Sequence, residues 1–137
     1  MKKKVKVLVS RPEKYKSKAS KTPKGLFKFE NLIEEELPDV YEFICGYGED
    51  DIIKQVDRFR PELIFIGQSK LMDALGLLKK IKQLHPPATV FIIFGDIVDD
   101  EQETIDEYMA AGAYKCYLIP FGVDTLIHDM YVALNLE

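Results

Sequence analysis

The chain has 137 residues, 47% of them hydrophobic and 31% charged, and a formal net charge of −4. This length and composition are typical of one folded domain with an apolar core and a polar surface. No apolar run approaches the roughly 18 residues of a membrane span, and the basic N-terminus lacks the apolar stretch of a signal peptide. We therefore expect a cytoplasmic protein without a membrane partner.

Five short apolar runs predict β-strands, and apolar residues at helical spacing follow each of them. The runs cover residues 5–10, 40–45, 62–67, 89–95 and 115–119. The third and fourth are continuous rather than alternating, which is typical of parallel strands covered on both faces. Right-handed crossovers between such strands place helices on both sides of the sheet. The predicted fold is therefore an α/β three-layer sandwich with five strand–helix units.

Turn and cap signals mark several boundaries of these units. Asp50 and either Asp99 or Asp100 are predicted helix caps, and Gly112 is a predicted helix stop. His85 and His128 have no partner at catalytic spacing, so we expect both on the surface. The two cysteines, Cys45 and Cys116, lack metal-ligand spacing and are expected to be buried strand residues that form no disulfide.

The charge is distributed unevenly along the chain. Residues 1–28 carry eleven Lys/Arg and one Glu (+10), whereas residues 29–137 carry eight Lys/Arg and 22 Asp/Glu (−14). Most of the positive charge lies in the stretch RPEKYKSKASKTPKG, residues 11–25, with lysines at Lys14, Lys16, Lys18, Lys21 and Lys24. Three interpretations stay open: a solvated loop, a contact with an acidic protein or nucleic acid, and a site for a small anion.

The stretch AAGAYKCYLIPFGVDTL (110–126) resembles the fifth strand and its flanks in response-regulator receiver domains of the CheY-like family. PELIFIG (61–67) and LGLLKKIK (75–82) resemble the third strand and third helix of the same family. The resemblance implies a flavodoxin-like parallel sheet of order 2-1-3-4-5. It also implies that residues 1–137 form a single receiver-like domain with an extended loop at about 11–25, and we expect no effector domain within this chain.

The resemblance assigns the family's phosphotransfer positions to residues that lack the required chemistry. The phosphoacceptor aspartate falls on Gly67, and the Mg²⁺-binding acids fall on Ser10 and Arg11, or on Arg11 and Pro12 in the alternative register. The position of the hydroxyl residue that ends the family's fourth strand falls on Phe94. The position of the family's lysine before the proline falls on Ile119. Gly67 supplies no nucleophilic carboxylate, and Arg11 would repel Mg²⁺. The chain therefore resembles a pseudo-receiver without a metal site.

Two further expectations come from the resemblance. In the family the peptide bond before the proline is cis, so Ile119–Pro120 is expected to be cis. The family's switching aromatic falls on Cys116, with Tyr117 one place on. Tyr114, Tyr117 and Tyr131 are candidates for the surface built from the fourth helix, fifth strand and fifth helix, which in the family carries dimer or partner contacts.

These observations favour a phosphorylation-independent protein-interaction module in signalling that is not an enzyme and holds no cofactor. Its expected partners are signalling proteins or a second copy of the chain, rather than nucleic acid. The alternative is an anion- or nucleotide-binding module that uses the Lys-rich loop. An enzyme with a flavodoxin-like fold is least favoured, because no acid/base pair or nucleophile–histidine pair appears at the strand ends.

Overall fold

Besides the isolated helical residues 33 and 35, five strands and four helices lie in the part of the chain that the computed structural model describes: residues 4–11, 33, 35, 37, 39–68, 73–94, 100–118 and 122–134. The predicted helix between the first and second strands lies mostly outside these residues. The strands are β1 (Val5–Arg11), β2 (Tyr41–Tyr47), β3 (Leu63–Gln68), β4 (Thr89–Phe94) and β5 (Lys115–Leu118). The helices are α1 (Glu49–Phe59), α2 (Ala74–Leu84), α3 (Glu101–Ala110) and α4 (Val123–Leu134). None of the helices in these ranges is long and apolar enough to cross a membrane.

The strands form one parallel sheet of order β2-β1-β3-β4-β5, which confirms the predicted fold class and strand order. Each face of the sheet carries its own apolar core. In β3, Ile64 and Ile66 belong to one core, whereas Leu63 and Phe65 belong to the other. Because successive strand residues point to opposite faces, a strand buried on both sides reads as a continuous apolar run.

The helix caps agree with the sequence at α3 and differ at α1. Asp100 caps α3 by accepting a hydrogen bond from the Glu103 amide at 3.2 Å, as predicted. The cap of α1 is Gly48 rather than Asp50, so that prediction is wrong. Gly48 has a φ of 84°, a conformation that strongly favours glycine. Asp50 lies inside the first turn, where its negative charge complements the helix dipole.

Gly112 lies in the turn that ends α3, as predicted from the sequence. Its φ is 114°, and a Cβ placed there would lie 3.0 Å from Cγ of Lys82. The backbone conformation therefore favours glycine, and a Cβ would also crowd the Lys82 side chain. This turn brings the chain directly into β5, with the Tyr114 amide donating to the Val90 carbonyl at 2.8 Å.

The two histidines differ, and the expectation for His85 is wrong. His128 is exposed, whereas His85 is only 8% exposed. Nε2 of His85 lies 2.9 Å from the Pro61 carbonyl oxygen, which can only accept, so Nε2 carries the proton and donates. The segment after α2 comes close to the start of β3, because the Thr89 amide donates a hydrogen bond to the Glu62 carbonyl at 3.0 Å. The imidazole therefore lies against the segment that leads into β3.

The two cysteines lie on the opposite edge strands of the sheet, Cys45 on β2 and Cys116 on β5, and both thiols are free. This placement confirms the expectation that they form no disulfide with each other. Both are half-buried rather than fully buried. Desolvation raises the pKa of the Cys116 thiol to about 11, so the thiol stays protonated at neutral pH.

Candidate functional site

The carboxyl ends of β1, β3 and β4 bring four of the predicted site residues to one edge of the sheet. Ser10 and Arg11 end β1, Gly67 is the penultimate residue of β3, and Phe94 ends β4. Ligands of open α/β sheets bind at this edge, outside the strand ends. Ile119, Pro120 and the five lysines of the 11–25 loop lie outside the described residues, so their assigned roles stay predictions.

Gly67 provides space but no functional group. It pairs with Ile93 in the β3–β4 register. A Cβ built on Gly67 would have no heavy atom of the described residues within 4 Å. The space over this residue would accept a side chain, and the residue itself offers no carboxylate for phosphoryl transfer.

Ser10 and Arg11 are both buried, and they point to opposite faces of the sheet. The Ser10 hydroxyl donates to the Phe65 carbonyl at 2.9 Å, so it ties β1 to β3. Arg11 is 5% exposed and shares the face of Val7 and Val9. A guanidinium at this position opposes divalent cation binding, because Mg²⁺ requires oxygen ligands and is repelled by positive charge.

Phe94 belongs to the core and not to a polar site. It is buried, and its ring meets that of Tyr108 edge-to-face, with centroids 5.2 Å apart and planes at 86°. Burial raises the pKa of the Tyr108 hydroxyl to about 12. Within the described part of the chain, no three His, Cys, Asp or Glu side chains come together as metal ligands.

A polar cluster that sequence reasoning missed links β5 to α4. Oδ2 of Asp129 accepts hydrogen bonds from Lys115 Nζ and from the Tyr117 hydroxyl, both at 2.6 Å. Burial is the largest effect on the pKa of Asp129 and raises it, but the hydrogen bonds from Lys115 and Tyr117 outweigh burial and lower the pKa overall. The pKa of Tyr117 is raised by burial and by its bond to the carboxylate.

The three candidate tyrosines do not form one exposed face. Tyr114 is 45% exposed and stacks on Phe91, with ring centroids 5.6 Å apart and planes at 24°. Tyr117 is 6% exposed and packs in the core on the same face as Phe91, so its assignment to a contact surface is corrected. Tyr131 is half-buried, with its ring centroid 6.3 Å from that of Tyr41 on β2. It therefore points away from the β5 edge.

Comparisons with solved structures identify the fold. A response regulator from Thermotoga maritima is 18% identical with a TM-score of 0.72, over 96% of this chain and 98% of that chain. A two-component response regulator from Clostridium difficile is 16% identical with a TM-score of 0.72, over 96% and 97%. The receiver domain of NtrX from Brucella abortus is 25% identical with a TM-score of 0.68, over 96% and 99%. No protein-family model and no curated protein sequence matches the chain. The chain has the fold of CheY-like receiver domains.

Proposed function

We propose that the chain is a receiver-like signalling module that contacts its protein partner without being phosphorylated on aspartate. The observation that carries the proposal is Gly67 at the end of β3, where the resemblance puts the phosphoacceptor. In this proposal residues 1–137 form one cytoplasmic receiver-like domain with no enzymatic activity, and its regulation depends on partner contacts and not on a covalent phosphoryl group.

The chemistry of the strand ends supports the proposal at more than one position. Phosphoryl transfer to a protein carboxylate needs a nucleophile and a metal ion that neutralises the developing charge. At β1 the buried Arg11 replaces a metal-binding acid, and at β4 the buried Phe94 replaces a hydroxyl. Because these residues serve different steps, a single compensating substitution would not restore the reaction.

The test is a titration of ¹⁵N-labelled protein with beryllofluoride and Mg²⁺, recorded by NMR, on the wild type and on Gly67→Asp. We expect no saturable, Mg²⁺-dependent shifts in either protein. Gly67→Asp should fold, because no described atom lies within 4 Å of the new Cβ, yet it still lacks the metal-binding acids. A receiver domain with an intact aspartate serves as the positive control.

Two results would contradict this. Saturable shifts at the ends of β1, β3 and β4 in the wild type that require Mg²⁺ would show that the chain retains a working phosphorylation site. A response of Gly67→Asp without one in the wild type would show that Gly67 alone prevents phosphorylation. That result would contradict the proposal that changes at several positions prevent it.

We also propose a second copy of the chain as a partner. The contact would use the face formed by α3, β5 and α4, which are the predicted fourth helix, fifth strand and fifth helix, and we call it the proposed partner face. Met109, Tyr114 and Val132, the large hydrophobic side chains most exposed among the described residues, belong to α3, the turn before β5 and α4. The Tyr114 ring already stacks on Phe91. A dimer would cover these side chains, and their burial would favour association.

Sedimentation velocity over a range of protein concentrations tests the dimer. We expect a concentration-dependent dimer in the wild type and a shift to monomer in Tyr114→Glu, which puts a charge into the contact. Lys79→Glu, an exposed substitution on α2, is the matched control and should behave as the wild type. A monomeric wild type at all concentrations, or equal effects of both variants, would exclude this face as the dimer contact.

A further inference from the structure

Arg11, Gly67 and Ile93 lie side by side on one face of the sheet, on the adjacent strands β1, β3 and β4. The β1–β3 register pairs Ser10 with Ile66, so Arg11 and Gly67 are the next positions along these strands. The β3–β4 register pairs Gly67 with Ile93. Val9, Phe65 and Ile93 all pack in the same core, which fixes the face to which Arg11 and the space over Gly67 belong.

The missing side chain on the middle strand leaves a notch between its two neighbours. Parallel strands lie about 4.8 Å apart, so the backbones of Arg11 and Ile93 are separated by about 10 Å. The floor of the notch is the backbone of Gly67, and no described heavy atom comes within 4 Å of the position that a Cβ would occupy. The apolar side chain of Ile93 borders the notch on β4, and the side chain of Arg11 borders it on β1.

The chemistry of Arg11 suits an anion in this notch. A guanidinium has five N–H donors in a planar fork that matches a phosphate group, so it can bind a phosphate in addition to its other contacts. Arg11 is only 5% exposed, and the low dielectric around a buried group strengthens a charge-assisted hydrogen bond.

We infer that the notch over Gly67 is a non-covalent site for a phosphate group, with Arg11 as its principal ligand. Binding forms no covalent bond and uses no Mg²⁺, in contrast to aspartyl phosphorylation. The site is independent of the proposed protein partner. The same chemistry fits inorganic phosphate and the terminal phosphate of a nucleotide. The site is defined by Arg11 and Gly67 and does not include the lysines at positions 14–24.

The test is an NMR titration of the full chain at constant ionic strength and with a chelator present, with inorganic phosphate in one arm and ADP in the other. We expect saturable shifts of the Arg11, Gly67, Gln68 and Phe94 amides in at least one arm. The arm with the tighter binding identifies the source of the phosphate group. Arg11→Gln should weaken binding by about tenfold or more, since it removes a charge-assisted hydrogen bond.

Gly67→Asp provides a second, independent variant in case Arg11→Gln lowers stability. Its carboxylate would occupy the notch beside Arg11, so binding should be lost while the fold is kept. Arg58→Gln, an exposed substitution on α1, is the matched control and should bind as the wild type. The inference is overturned if no saturable shifts occur in either arm, if Gly67→Asp binds as tightly as the wild type, or if shifts are confined to residues 12–25.

Discussion

Phe91→Ala is expected to lower the free energy of unfolding by about 4 kcal/mol, the middle of the range for removing a buried aromatic ring. Phe91 is fully buried in the centre of β4. Its ring centroid lies 5.6 Å from those of Phe65, Tyr114 and Tyr117, so three other rings lose a partner together. The cavity would open directly beneath Tyr114, the most exposed aromatic side chain of the proposed partner face.

Urea denaturation followed by circular dichroism measures this loss. Phe91→Leu is the matched control, and we expect it to cost about 1 to 2 kcal/mol because it keeps most of the apolar volume. If the alanine variant loses less than the leucine variant, the ring cluster around Phe91 does not contribute as these contacts indicate.

Asp129→Ala is expected to lower the free energy of unfolding by about 2 to 3 kcal/mol. Most of this comes from the Tyr117 hydroxyl, since a hydrogen bond to a charged group contributes about 1.5 to 3 kcal/mol and a buried donor left unpaired costs further. The ion pair with Lys115 adds little, because the Lys115 side chain is 44% exposed and screened by water. The loss would loosen α4 from β5, the two elements that border the proposed partner face.

Two variants separate these contributions in the same denaturation experiment. Tyr117→Phe removes the hydroxyl and keeps the ring, and it should account for the larger part of the effect of Asp129→Ala. Lys115→Met removes the charge and should cost less than about 1 kcal/mol. A larger loss in Lys115→Met than in Tyr117→Phe would reverse the assignment of roles in this cluster.

The stabilisation by Asp129 should depend on pH in a defined direction. The folded-state pKa of Asp129 lies below its usual value, so the group binds a proton more weakly when folded than when unfolded. Its contribution is therefore complete above the unfolded pKa of about 3.9 and is lost as the pH falls through the lower folded pKa. The difference in stability between the wild type and Asp129→Asn should shrink below pH 4.

Most of the architecture was predictable because it depends on local sequence patterns, namely apolar runs and single residues at helix ends. Continuous apolar runs indicated strands buried on both faces, and the structure covers Leu63–Ile66 from both sides. Gly112 and Asp100 were readable as a helix stop and a helix cap, since such roles depend on one residue and its near neighbours. The cap at Gly48 was missed because the choice between Gly48 and Asp50 depends on how β2 enters α1.

The positions of the site residues at the strand ends were predictable, but the contacts between these residues were not. The resemblance placed Gly67, Arg11 and Phe94 at strand ends, and the sheet brings them to one edge. That Arg11 lies next to Gly67, and Gly67 next to Ile93, follows only from strand register. A shift of one residue would turn each side chain to the opposite face.

The sequence by itself determined the order of the five strands and the four described helices, the buried character of the central strands and the absence of a carboxylate at residue 67. Periodicity and residue identity are local properties. Only the tertiary structure decided the burial of His85 and Tyr117, the pairing of Asp129 with Lys115 and Tyr117, and the notch beside Arg11. These features join residues far apart in the chain, and their contacts depend on register and packing that no local pattern records.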